Sequence, residues 1–227
     1  MDLLLSSGFL AFGRHIGALA AIEDQGLPID GVFGTSSGAL TGALWAAGLP
    51  AAQILAELGG VRPLDFMAGH WALHRGLTSI DPVIRRLEAL LPPTIEQLPR
   101  PFGVGVRGAD GHFSWRTRGP LPTLVAASCA MPVIFAPVVV DGEALADGGA
   151  VDRLGAGPHR SLRGPGRRLI HRVARSAGVD QDDDLSADLV MESPRSGASF
   201  WSLGDVAAQA AESRRIASQA LRAGLGG

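Results

Sequence analysis

Apolar residues recur along this chain in two rhythms. Short apolar-rich runs at Leu3 to Leu5, Ile29 to Phe33 and Phe102 to Val106 have the pattern of strands buried on both faces. Apolar positions three and four apart mark helices instead. Gly13 to Gln25 carries Ile16, Leu19, Ala20 and Ile22 on one face and stops at Gly26, a C-cap residue. Ala51 to Leu58 follows Pro50. Asp81 to Leu91 sets Val83, Ile84 and Leu87 against Arg85, Arg86 and Glu88, with Pro82 in its first turn and Pro92-Pro93 beyond its end. Leu121 to Ala130 and Gly204 to Ala223 are the later helical segments; the second has Asp205 near its start and Arg222 near its end, as the helix dipole favours.

Two hairpins are predicted, His112 to Thr117 returning along Phe102 to Val106, and Ala144 to Leu145 returning along Val138 to Val140 across Asp141-Gly142. Leu169 to Val173 and Leu189 to Met191 read as further strands. Arg153 to Arg168, rich in Gly, Pro and Arg, reads as a surface loop, and Gln181 to Asp184 as an acidic exposed one. The opening strand, helix, strand, helix implies a right-handed crossover and an α/β fold, a parallel sheet covered by helices. With no repeat and no linker, residues 1–227 are expected to form a single domain.

Composition narrows the chemistry more than it identifies it. Hydrophobic residues make up 46% and charged residues 19%, which excludes a disordered chain. A net charge of −2, with all 20 basic residues Arg, gives no electrostatic case for nucleic acid. The single Cys129 has no internal disulfide partner, and its apolar neighbours suggest a buried, inert thiol. The six His are scattered without ligand spacing, so no metal and no cofactor is expected. The N-terminus lacks a basic n-region, and no apolar run approaches the ~20 residues needed to cross a bilayer. The expectation is a soluble, cytoplasmic protein, and nothing in the sequence specifies an oligomer.

Between Ile29 and Gly48 the pattern changes from strand to helix across Gly34-Thr35-Ser36-Ser37-Gly38. That is the G-x-S-x-G context of a nucleophile elbow, in which a serine sits at a sharp reversal and flanking glycines allow close backbone approach. Ser36 is the candidate nucleophile. The start of the following helix directs free N–H groups at it, and Ser37 would supply one backbone donor to an oxyanion. A serine needs a base. Ser36, Asp147 and His171 stand in conventional hydrolase order, but only two strands precede the elbow and His171 falls inside an apparent strand. Asp147 in Ala146-Asp147-Gly148-Gly149 is the stronger candidate, since two glycines after it let its carboxylate approach another backbone closely. An Asp-Gly pair is also an ordinary turn, and Asp141-Gly142 reads as one.

Three separated blocks, in order, resemble the patatin-like phospholipase family. They are Leu5 to Gly17 with His15-Ile16-Gly17, the elbow block Gly31 to Gly48, and the run from Ala126-Ala127-Ser128 through Met131-Pro132 and Phe135-Ala136-Pro137 to Asp147-Gly148-Gly149. The resemblance implies a three-layer α/β/α sandwich around a mixed, largely parallel sheet. It implies a Ser36–Asp147 dyad acting through an acyl-enzyme, motif glycines at Gly34, Gly38, Gly148 and Gly149, and oxyanion donors at the backbone N–H groups of Gly8, Phe9 and Ser37. It further implies lipid or other acyl ester substrates and transient contact with a membrane surface.

One block departs from the family pattern. Where the family has a glycine-rich loop containing a basic residue, this chain has Ser7-Gly8-Phe9-Leu10-Ala11-Phe12. Phe9 resists a positive φ, so a rearranged loop is expected. Arg14 is the nearest replacement for the missing charge, or else a solvated residue on a helix face. Two alternatives follow: an acyl-binding protein without turnover, and an acyltransferase using the same acyl-enzyme. The Asp81 to Leu91 helix, with Phe66-Met67 and Trp71, is expected to cap the site.

Overall fold

The computed structural model describes residues 1–61, 71–72, 77–175 and 185–226. The chain runs β1 (Asp2–Leu5), α1 (Phe12–Asp24), β2 (Gly31–Thr35), α2 (Ser37–Ala46), α3 (Ala51–Leu58), β3 (Trp71–Ala72), β4 (Leu77–Thr78) and α4 (Asp81–Glu88). It continues through β5 (Phe102–Arg107), β6 (Phe113–Arg116), α5 (Leu121–Cys129), β7 (Val138–Val140) and β8 (Glu143–Asp147). The last elements are α6 (Ala156–Arg163), β9 (Leu169–Val173), β10 (Leu189–Ser193) and α7 (Val206–Leu225).

The central sheet orders as β10-β9-β1-β2-β5-β8-β7. Strands β10, β9, β1, β2 and β5 are parallel; β8 is antiparallel to β5, and β7 to β8. Strand β5 is the pivot. One edge carries antiparallel β6 over Val104 to Arg107. Along the other, β2 pairs with residues 102–105 and β8 takes over at Val106 and Arg107. The end of β2 and the end of β8 therefore meet at consecutive residues of one strand.

Alternation in the strands assigns the two faces. Leu3, Leu5, Val32 and Val104 face the main core, which takes in buried residues of α1, α2, α5 and α7. Leu4, Phe33 and Ile170 face a smaller cluster with Leu154 and with Ala156 of α6. Helices thus cover both faces of a mixed sheet, as expected for a three-layer α/β/α arrangement.

Three sequence-based boundaries need correction. The strand before the elbow is Gly31–Thr35, two residues later than Ile29 to Phe33, so Gly34 and Thr35 belong to β2 and the turn itself is tighter. Residues 153–168 are not all loop, because Ala156–Arg163 is helical. Pro158 sits in that helix's first turn, where its missing N–H costs nothing. Ala156 and His159 are buried, and the His159 ring packs edge-on against Phe33 at 4.5 Å. Helix α4 ends at Glu88, three residues short of the expected Leu91. The acidic run Gln181 to Asp184 lies outside the described residues.

Candidate active site

Ser36 stands between the last residue of β2 and the first of α2 with φ 54° and ψ −120°. A non-glycine residue held in that region is strained, and such strain is characteristic of functional turns. The two flanking glycines make the turn possible. A Cβ at Gly34 would lie 2.3 Å from the Gly38 carbonyl oxygen, and one at Gly38 would lie 2.4 Å from the Leu5 carbonyl oxygen. Below the turn, the Ser36 N–H donates to Ser128 Oγ at 2.8 Å, and that hydroxyl donates to the Gly105 carbonyl at 2.6 Å. Ser128 thus ties the strained residue to β5. The sequence placed it in the block beginning Ala126-Ala127-Ser128 but gave it no role.

Asp147 is the last residue of β8 and caps a 3-10 turn, Gly148–Ala150. Its Oδ1 accepts the Gly149 N–H at 2.7 Å, and its Oδ2 accepts the Ser36 hydroxyl at 3.0 Å. Gly149 has no room for a side chain, because a Cβ there would meet Ser7 Cβ at 2.5 Å. Burial raises the Asp147 pKa from its ordinary 3.8 to about 6, against the lowering effect of the Gly149 and Ser36 hydrogen bonds and the Arg107 charge. The residue is 6% exposed. Its carboxylate is therefore a base near neutrality, in contact with the hydroxyl it would deprotonate.

His171 takes no part in this pair. It is fully buried, with Nδ1 2.9 Å from His15 Nδ1 and Nε2 2.9 Å from Ser193 Oγ. Burial depresses both imidazoles, His15 to about 3, so both are neutral and one donates to the other. The Ser36–Asp147–His171 arrangement is excluded by this geometry.

Gly8, Phe9 and Ser37 line one cavity of about 390 Å³ together with Ser36 and Asp147. Apolar walls come from Leu10, Phe12, Leu40 and Phe135, and from Ile80 and Val83 at the start of α4. The expected cap is thus present in α4, whereas Phe66 and Met67 lie outside the described residues, as does the side chain of Trp71. Cys129 is half-buried in the wall rather than fully buried. Burial and the neighbouring Asp147 raise its pKa, so the thiol stays protonated.

In the loop after β1 Phe9 avoids a positive φ, as its side chain requires. The positive φ falls on Leu10, at 48°, and not on Phe9. Phe9 therefore keeps an ordinary backbone, and its ring packs edge-on against Phe200 at 4.9 Å. Arg14 is neither solvated nor directed at the site. It is buried, paired with Glu212 of α7, and donates to the Gln209 and Arg195 carbonyls. Arg153, which the sequence assigned to a surface loop, lines the cavity and donates to the Ser7 carbonyl at 2.8 Å.

A family model described as patatin-like phospholipase matches residues 3–158. An uncharacterised NTE family protein of Mycobacterium tuberculosis is 36% identical over 176 residues, which cover 69% of this chain and 44% of the relative. The lysophospholipase NTE1 of Mycosarcoma maydis is 29% identical over 198 residues, 82% of this chain and 10% of that protein. The chain thus spans less than half the length of either curated relative. Among solved structures, VipD of Legionella pneumophila superposes with a TM-score of 0.67 at 13% identity, over 98% of this chain and 66% of VipD. ExoU of Pseudomonas aeruginosa, crystallised with SpcU, gives a TM-score of 0.57 at 14% identity over 98% and 52%. The matched segment contains the elbow, Asp147 and the loop after β1, and the chain belongs to the patatin-like phospholipase family.

Proposed function

We propose that this chain is a serine acyl hydrolase that cleaves carboxylic esters of lipids through Ser36 and Asp147. The observation that carries the reading is the 3.0 Å contact between the Ser36 hydroxyl and a carboxylate held near neutrality by burial. Asp147 takes the Ser36 proton as Oγ attacks the ester carbonyl, and the oxyanion that forms is held by the N–H groups of Gly8, Phe9 and Ser37. Collapse breaks the bond to the alcohol, which leaves with the proton from Asp147. Water then attacks the acyl-enzyme, Asp147 takes its proton, and the fatty acid leaves as Ser36 regains its hydrogen.

The apolar cavity walls suit an acyl chain, and the name of the fungal relative attaches lysophospholipase activity to that protein. A lipid substrate brings with it transient contact with a membrane surface. Among the described residues no helix is long and apolar enough to cross a membrane.

Labelling by a fluorophosphonate probe tests the reading, alongside turnover of short- and long-chain esters. Wild-type protein should be labelled, and the label should vanish in Ser36→Ala and fall sharply in Asp147→Asn. A folded wild-type protein that takes no label and turns over no ester would leave an acyl-binding protein in place of a hydrolase.

A further inference from the structure

The loop that carries Gly8 and Phe9 has lost the basic residue of its family pattern, and Ala11, fully buried against Gly8, stands there instead. A guanidinium nevertheless reaches this loop from elsewhere in the chain. Arg153 lies six residues after Asp147, and one of its nitrogens, Nη2, donates both to the Ser7 carbonyl at 2.8 Å and to the Val173 carbonyl at 2.7 Å. The Ser7 N–H donates back to the Arg153 carbonyl at 2.7 Å. Ser7 is thus gripped on both of its backbone polar groups by one residue, which is itself tied to the end of β9.

The consequence follows from the planarity of the peptide bond. The Ser7 carbonyl and the Gly8 N–H belong to one rigid trans unit and point in opposite directions. Whatever fixes the carbonyl fixes the N–H. A charged donor on the carbonyl oxygen also draws electron density through the amide, which makes the N–H a stronger donor. We infer that Arg153 is a positioning residue that orients and polarises the Gly8 N–H for the tetrahedral oxyanion, replacing from the Asp147 side the basic residue absent from the loop. This inference rests on the Ser36–Asp147 reading above. Arg153 meets the backbone carbonyls of Ser7 and Val173. It acts through the peptide it holds, and it links the loop that carries the base to the loop that carries the oxyanion donors.

A structural role alone would predict lost stability with the chemistry intact. The test therefore compares Arg153→Met and Arg153→Lys with wild type in three measurements: thermal stability, kcat and KM on a short-chain p-nitrophenyl ester, and affinity for a trifluoromethyl ketone of matching chain length. The ketone forms a tetrahedral adduct and needs the same donor as the transition state. Arg153→Met should lower kcat by about 10²-fold with KM changed less than about threefold, and weaken the ketone in parallel. Arg153→Lys, whose ammonium keeps a charge but not the planar fork, should fall between the two.

A folded Arg153→Met with kcat and ketone affinity within about twofold of wild type overturns the inference and leaves the dyad standing. If Arg153→Met does not fold, the Lys variant decides: wild-type kcat and ketone affinity overturn the inference, and a parallel loss of both supports it. A wild-type protein with no turnover and no ketone binding overturns the dyad reading itself.

Discussion

The two turns that meet at the cavity are built in opposite ways. The elbow at Ser36 is set chiefly by its own residues, with Ser128 of α5 holding the Ser36 N–H from outside. Gly34 and Gly38 allow backbone approaches that any Cβ would block, and the reversal is complete within the pentapeptide. The loop from Ser7 to Phe12 is shaped by residues far away: Arg153 holds Ser7, Ser196 Oγ donates to the Phe9 carbonyl at 2.7 Å, and the Phe200 ring packs on Phe9. A locally encoded turn tolerates little change inside itself. A loop held from outside tolerates side-chain replacement, and its vulnerable points lie elsewhere in the chain.

The largest effect is expected at the base that the elbow faces. Asp147→Asn should reduce turnover by about 10²- to 10⁴-fold while the fold survives. The same variant should be more stable above pH 6. Because the folded pKa is raised, the unfolded state releases its proton first, and stability falls as pH climbs from 3.8 to about 6. That loss, at most about 3 kcal/mol, is absent from the neutral amide. Urea unfolding of both proteins at pH 8 measures it. In the wild type kcat/KM should rise to a plateau above about pH 6 in a pH–rate profile, as the base ionises.

The buried imidazoles probe the region on which the loop rests, since the Ser6 N–H donates to the His171 carbonyl at 3.1 Å. Both side chains are neutral when folded, with depressed pKa values. Their stability is present above the unfolded value of 6.5 and is lost as pH falls below it. Between pH 7.5 and pH 5 the charging of His15 should cost about 2 kcal/mol, and His171 acts in the same direction. Denaturant midpoints in the Asp147→Asn background measure this without the opposing carboxylate.

Gly38→Ala against Gly8→Ala compares the turns directly. The first new methyl meets backbone oxygen at 2.4 Å; the second meets the Ala11 methyl at 2.8 Å. Gly38→Ala should cost about 3 kcal/mol or more and abolish labelling of Ser36, and Gly8→Ala about 1 kcal/mol with labelling retained. Equal losses in thermal melts and probe labelling would erase the distinction. A comparably small effect is expected from Ser196→Ala, which removes the bond to the Phe9 carbonyl and the one accepted from the Ala198 N–H and should cost about 1–2 kcal/mol in the same melts.

Much of this architecture was legible because it is periodic or local. The apolar run Leu3 to Leu5 and the strand Leu169–Val173 emerged from the apolar pattern, and the exact span Ala51–Leu58 from the Pro50 before it and the Gly59-Gly60 after it. Ser36 and Asp147 emerged because glycines mark sharp reversals, and the structure brings the two within hydrogen-bond distance. What was not legible depends on partners distant in sequence. Arg14 looked like a solvated helix residue, but its partner Glu212 lies 198 positions on. Arg153 sat in a segment whose glycines and prolines suggested loop, and its link to Ser7 spans 146 positions. Helix α6 was hidden by the same composition, with only Ala156 and His159 buried to hint at an inner face.

The junction on β5 has a thermal consequence. Thr35 pairs with Gly105, and Asp147 with Val106, so nucleophile and base are spaced by neighbouring rungs of one strand. Strands in a ladder do not slip by a fraction of a rung, because a shift of one residue would turn every side chain to the wrong face. Warming therefore has no gradual route by which to pull Ser36 from Asp147. Heat inactivation and the loss of the sheet should share a single midpoint.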